Sequence, residues 1–286
     1  MKSTIMIALK DLVPFDGHPY KVEDNADMDA LTESIRENGI LNPLIVRPAE
    51  NDPCRYEIIS GHRRAHAARL AGIEQVPAFV YPISRDEAAV LVVDSNLHRE
   101  RVLPSEKAFA YRLKMEALKR QGRRTDLTSS QVATRLDTAA EIGAASNESR
   151  DQVFRYIRLT NLRPELLSMM DEGKISFSVG VELSYLPGEA QYDLLDAMSR
   201  NDCTPSYAQA VRMHRAVNAG TLSRWQIETT MEEQKPNQKD QIRLRWEDFG
   251  SYFPPGYTDE QIKKDLLAGL ALLHRQRQRE RDRDAR

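Results

Sequence analysis

The densest chemistry in the chain lies in Ile59-Ser60-Gly61-His62-Arg63-Arg64-Ala65-His66. A strand-like run delivers the chain to Gly61, a residue that lets backbone pass close to a ligand. The helix that follows presents unpaired N–H groups and the positive end of its dipole. Arg63 and Arg64 add fixed guanidinium donors suited to phosphate oxygens. Two readings of these residues stand side by side: a phosphate cradle, or a glycine turn followed by a solvated basic helix. No GxxxxGK[ST] pattern occurs to decide between them. His62 and His66 lie four apart on one helical face, but the zinc-protease pattern needs Glu where Arg63 stands. Two arginines beside the histidines also repel a divalent cation, so no metal is expected there.

A second polar cluster runs Asp94-Ser95-Asn96-Leu97-His98-Arg99. Asp94 and Asn96 offer oxygens for a hydrated magnesium ion, and Arg99 a charge for phosphate. The plain alternative is a helix end with ordinary surface polarity. A third signal spans residues 140–159. It reads as a helix ending near Gly143, a turn over Ala144 to Glu148, and a second helix capped by Ser149. Val153, Ile157 and Phe154 face its core. Arg150, Asp151, Gln152 and Arg155 then point outward near the N-terminal end, where a recognition helix meets base edges. Arg and Gln are the types that read guanine and adenine bidentately. Arg158 and Arg163 lie further along, within reach of phosphates. An ordinary helical hairpin with a charged face is the competing reading, and the length of the turn favours it.

The elements that must position these residues change character along the 286-residue chain. The first hundred residues read as mixed α/β. Leu31 and Ile35 share a helical face that Gly39 stops, Leu44–Arg47 and Arg55–Ser60 are strands, and His62–Ala71 is a helix stopped by Gly72. Val76–Tyr81 is a strand with Pro77 towards an edge. From Pro104 the pattern turns helical, with a loop at Gln121–Arg124 and breaks at Pro164, Gly173, Pro187-Gly188 and Pro205. A linker is expected from Thr229 to Gln241, then a short strand Ile242–Trp246. A helix opened by Thr258 follows, carrying Ile262, Leu266, Leu270 and Leu273 on one stripe.

Hydrophobic residues make up 41% of the chain and charged ones 29%, as in a soluble globular protein, with no apolar run long enough to span a bilayer. The two cysteines, Cys54 and Cys203, fit no metal spacing, so a reducing cytoplasm is expected. The net charge of −2 means that any nucleic-acid contact must come from local basic faces.

Taken in order, Gly39-Ile-Leu-Asn-Pro-Leu-Ile-Val-Arg-Pro, Ser60-Gly-His-Arg-Arg, and Ser95-Asn-Leu-His-Arg with Leu103-Pro-Ser-Glu-Lys resemble the sequence boxes of ParB partition proteins. Ser149 to Leu159 resembles that family's recognition-helix region. The similarity runs from about residue 5 to about residue 190, and weaker likeness to plasmid and mobile-element members continues to Tyr257. It implies an α+β ParB/sulfiredoxin-like domain over residues 1–102 and an all-α helix-turn-helix domain over 103–228. A linker, a short strand and an amphipathic helix fill 229–286. It further implies a homodimer that binds a palindromic double-stranded DNA site, closes as a CTP-dependent clamp on the nucleoid, and is moved by a ParA-type ATPase.

Residue by residue, Gly61, Arg63 and Arg64 match the triphosphate-binding box, with His62 inside it. Asn96 and Arg99 match the third box, where the asparagine helps hold Mg2+. Ser149, Arg150, Asp151, Gln152, Arg155 and Arg158 fall on the DNA-reading segment. Two departures matter: the family usually carries Glu at the position of His62 and at the position of Ser95. Both remove a carboxylate from a site that handles nucleotide, metal and water. CTP is therefore expected to bind and to be hydrolysed slowly or not at all, and no catalytic residue is assigned. Three other readings remain: a transcription or nucleoid-occlusion regulator with the same domains, an ATP-using phosphoryl-transfer enzyme on the N-terminal scaffold, and a pure interaction scaffold with degenerate sites.

Overall fold

The structure, a computed structural model, describes residues 4–52, 54–97, 102–125, 131–233, 252–254, 256 and 258–284. Period-two alternation builds its first layer. Five strands, β1 (Ile5–Ala8), β2 (Leu12–Pro14), β3 (Leu44–Pro48), β4 (Tyr56–Ser60) and β5 (Gln75–Val80), form one mixed sheet in the order β1-β5-β3-β4-β2. Successive side chains of a strand point to opposite faces. Leu44, Val46 and Ile58 therefore enter one apolar cluster, with Met28 and Ile35 of α1 (Ala26–Asn38) and the alanines of α2 (His62–Leu70). Ile45 and Ile59 turn to the other side, against Ala88, Ala89, Val92 and Val93 of α3 (Arg85–Leu97).

Pro77 departs from expectation. It lies on β5, second from the edge, paired with Met6 of antiparallel β1. Pairing with parallel β3 begins at Ala78, one residue later, so the missing N–H breaks no ladder bond to β3.

The helical part begins with α4 (Pro104–Thr125), which continues through Gly122 where the sequence predicts a loop. Lys119, Arg120, Gln121 and Arg123 are good helix formers and outweigh one glycine, worth about 1 kcal/mol. Then come α5 (Gln131–Ser146), α6 (Arg150–Leu159), α7 (Pro164–Asp171), α8 (Phe177–Leu183), α9 (Gly188–Asn201), α10 (Tyr207–Asn218) and α11 (Arg224–Glu232). Ser149, Ser176, Ser206 and Ser223 cap four of them by accepting a backbone N–H. The linker expected from Thr229 is helical as far as Glu232, and Ile242–Trp246 lie outside the described residues.

Residues Met1–Glu233 cluster as one compact unit and Gln234–Arg286 as a second. In the first unit α4 serves both layers: Ala110 and Ala117 pack with α3, while Tyr111 and Met115 pack with Ile142 of α5 and Val153 of α6. A polar clasp reinforces this. Asp171 accepts from the Ser105 N–H at 3.1 Å and the Ser105 hydroxyl at 2.5 Å and pairs with Lys21 at 3.3 Å. Glu106 accepts the Lys21 and Leu103 N–H groups at 2.8 and 3.0 Å. In the second unit α12 (Asp259–Asp284) opens on a Thr258–Gln261 capping box, and Leu270 and Leu273 are exposed.

The α9–α11 seam is ionic: Glu228 accepts from Arg200 at 2.7 Å and Arg224 at 3.1 Å, and Asp196 meets the same two guanidiniums. The Arg200 hydrogen bond, then that of Arg224, holds the Glu228 carboxyl below the usual carboxylate range. A depressed folded pKa contributes stability above the ordinary value of about 4.3, and loses it as pH falls through the folded value. Acid titration of Trp225 fluorescence in a Trp246→Phe chain is expected to show α11 loosening below about pH 4. In Glu228→Gln that part of the acid sensitivity is absent.

Candidate functional site

Gly61 is the pivot of the first site. It joins β4 directly to α2 at φ +106°, a region that L side chains rarely adopt. A Cβ there would stand 3.0 Å from Leu44 Cγ and 3.2 Å from the Arg64 guanidinium. The stretch Gly39–Pro48 and the stretch Ser60–Arg64, separate in sequence, are thus in contact at the N-terminus of α2. The two arginines divide the work. Arg64 donates to the carbonyls of Asn42 and, at 3.1 Å, Pro43, and burial pushes its pKa down. It fixes the loop that faces the helix end. Arg63 is half-buried and makes no hydrogen bond or ion pair among the described residues, so its donors remain for an anion.

The His62 ring lies against that of His18, centroids 3.6 Å apart and tilted by 32°, and its Nε2 accepts the Phe15 N–H at 3.5 Å. His18 in turn meets Tyr20 edge-on at 5.5 Å, and the Tyr20 hydroxyl donates to the Val93 carbonyl at 3.4 Å. The His62 imidazole therefore ties α2 to α3 through the 15–20 loop. No sequence signal marks this loop. His66 pairs with Asp24 at 2.7 Å, and no group of three His, Cys, Asp or Glu among the described residues is placed to hold a metal ion.

Asn96 is buried near the end of α3. Its amide nitrogen donates to the Val92 carbonyl at 2.8 Å and to Ser95 Oγ at 3.1 Å. Its oxygen receives no donor among the described residues and is the atom that would face a cation. Asp94, two residues before Asn96, is engaged elsewhere, paired at 2.6 Å with buried Lys114. One amide oxygen fits a magnesium ion carried by nucleotide phosphates, and does not fit one held by protein alone. Arg99 lies outside the described residues.

The second site is built on α5 and α6. Helix α5 runs on past Gly143 to Ser146, so the turn is shorter than Ala144–Glu148. Asn147 takes φ 55°, and the Glu148 N–H donates to the Gly143 carbonyl at 2.9 Å, a Schellman closure. This is the tight connection of a helix-turn-helix. Lys107 of α4 pairs with Glu148 from behind; burial lowers the Lys107 pKa, but the Glu148 hydrogen bond together with the charge interactions of Tyr111, Tyr156 and Glu148 outweighs it, and the net shift is upward.

On α6, Val153 is buried and Phe154 and Ile157 pack partly buried against Tyr111, Met115 and Ile142. Ser149 caps the Gln152 N–H at 3.1 Å, and Arg150, Asp151 and Arg155 are exposed beside half-exposed Gln152. Arg155 reaches Gln152 at 3.3 Å and Ser178 at 3.4 Å. Arg158 is held differently: its guanidinium stacks 3.8 Å over Tyr185 and donates to the Ser184 carbonyl at 3.4 Å. Arg163 is engaged by Glu165 at 3.3 Å and lies over Tyr192.

A family model described as the ParB N-terminal domain matches residues 1–97. The chromosome-partitioning protein Spo0J of Thermus thermophilus is 32% identical over 213 residues, which cover 74% of this chain and 71% of that one. The stage 0 sporulation protein J of Bacillus subtilis is 34% identical over 174 residues, 61% of this chain and 55% of that one. Among solved structures, C-terminally truncated ParB of Caulobacter crescentus complexed to the centromeric parS site is 20% identical, with a TM-score of 0.41, over 79% of this chain and 97% of that one. Fold and site define an α+β body with a glycine-gated helix end, continued by an all-helical helix-turn-helix region. The chain belongs to the ParB/Spo0J family of partitioning proteins. No helix among the described residues is long and apolar enough to cross a membrane.

Proposed function

We propose that this chain binds a palindromic duplex DNA site through α6 and holds CTP with Mg2+ at the N-terminus of α2. Closed as a homodimer, it acts as a clamp on the nucleoid, in the cytoplasm, moved by a ParA-type ATPase. The observation that carries the reading is α6 itself, buried along one face and presenting Arg150, Asp151, Gln152 and Arg155 at the other. Residues 1–102 would bind nucleotide, 103–228 DNA, and 229–286 would link and dimerise. The exposed Leu270 and Leu273 suit the last role.

At the nucleotide, Gly61 allows close approach, Arg63 donates to phosphate oxygens, and Arg64 orients the Asn42–Pro43 loop. Asn96 orients the metal's water shell or the ion, and Mg2+ supplies charge neutralisation for the triphosphate. With histidine at position 62, serine at 95 and Asp94 bound to Lys114, none of these three described positions offers a free carboxylate to activate water. CTP therefore acts as a retained ligand, turned over slowly or not at all.

The DNA claim is tested with duplex fragments from the replicon that encodes the chain, compared with scrambled duplexes of equal length. Arg150→Ala and Gln152→Ala are each expected to cost about 1–3 kcal/mol of discrimination, or roughly 5- to 150-fold, with scrambled DNA little affected. Equal affinity of the wild type for every duplex would contradict the reading. A selective site whose deletion leaves plasmid or chromosome inheritance unchanged would favour the regulator instead.

A further inference from the structure

A groove of about 520 Å³ opens between α4 and the DNA-reading helix α6, and its α4 wall has no part in the function proposed for α6. Its walls carry Arg112 and Lys119 from α4 and Arg155 and Arg158 from α6, against the single acidic side chain Glu116. In a chain of net charge −2, four cations around one groove are a local reversal of sign.

Two of the guanidiniums are fixed in place. Arg112 is held by Glu116 Oε1 at 3.0 Å and by the Thr160 hydroxyl at 3.2 Å. Arg158 is clamped by its stack on Tyr185, and its Nε is buried with no acceptor among the described residues. Stacked, planar guanidiniums with donors to spare are the groups that take phosphate oxygens bidentately. We propose that this groove is a backbone-binding site that receives a phosphodiester of the DNA strand flanking the segment read by α6. The proposal rests on the reading of α6 as the DNA-contacting helix. It gives Arg112 and Lys119 a role in register and affinity, without base readout.

The test measures the affinity of the full-length protein for its cognate duplex and for a scrambled duplex across a salt series. Each phosphate contact contributes about 0.9 to the slope of log affinity against log salt, or about 3-fold between roughly 50 and 200 mM salt. Arg112→Gln and Arg158→Gln are expected to lower that slope by about 1 each. Both duplexes should lose affinity by the same factor, leaving their ratio unchanged. Arg112→Lys should restore the slope, which a merely misfolded variant would not. Glu116→Gln should tighten both duplexes equally. Unchanged slopes, or a loss confined to the cognate duplex, would overturn the groove as a phosphate site. The two readings fail separately. A wild type with no cognate preference but an intact Arg112 salt term sinks base readout by α6, whereas intact preference with an unmoved slope sinks the groove alone.

Discussion

Gly143→Ala is expected to lower the affinity for the cognate duplex by about 100-fold or more while leaving scrambled DNA within a few-fold. Intrinsic propensity argues the other way, since alanine in a helix is ordinarily worth about 0.5–1 kcal/mol over glycine. The sign reverses because a Cβ at position 143 would stand 2.5 Å from the Glu148 carbonyl oxygen, a backbone atom in the turn itself. Relief requires the turn to open, which breaks the Glu148-to-Gly143 closure and swings the start of α6. Overpacking costs about 1–3 kcal/mol in stability. Each base that the displaced α6 no longer reads costs a further 1–3 kcal/mol or so in recognition. Thermal melting and gel-shift titration read the two effects separately. A variant that melts higher than wild type and still selects its site would contradict the geometry of the turn.

Arg47→Ala is expected to remove about 3–5 kcal/mol of stability, a large share of the roughly 5–15 kcal/mol that a domain has. Arg47 is 2% exposed and lies in β3, the strand that brings Leu44 against Gly61. It donates to Glu57 at 2.6 Å and to the Ile83 carbonyl at 3.2 Å and pairs with Glu50 at 3.0 Å. Burial works against its charge, the Glu57 and Glu50 bonds more than offset that, and its pKa is raised. Truncation leaves Glu57 charged, largely buried and unpaired. Replacing both partners by apolar groups, Arg47→Met with Glu57→Leu, should recover most of the loss. Urea denaturation decides it; an Arg47→Ala midpoint close to wild type would show that the pair carries little.

Much of this architecture is legible in the sequence because its signals are local. Gly61 after an apolar strand, Ser149 before a mixed helix and Pro104 at the first turn of α4 each fix a boundary by backbone chemistry alone. What escapes the sequence depends on packing. Strands β1 and β2, four and three residues long, are too short to show a period. Gly143 resembles a helix stop, but it lies inside α5 because the Glu148 carbonyl packs where its side chain would be, and Asn147 makes the left-handed turn. Gly122 hides the true end of α4. Residue type suggests phosphate for both Arg63 and Arg64, and only the fold separates the free guanidinium from the one committed to two carbonyls. The 15–20 loop, which joins His62 to α3, has no periodicity to betray it.

Nucleotide held at the end of α2 is expected to control DNA binding by α6. Calorimetric titration of the four nucleoside triphosphates with Mg2+, in the presence of duplex fragments from the chain's own replicon, tests it most directly. CTP is expected to bind selectively, and to bind about 10- to 100-fold more weakly to Arg63→Ala, the worth of roughly 1.5–3 kcal/mol for a charge-assisted bond. Failure of CTP to bind under these conditions, preference for ATP, or CTP affinity indifferent to Arg63 would contradict it.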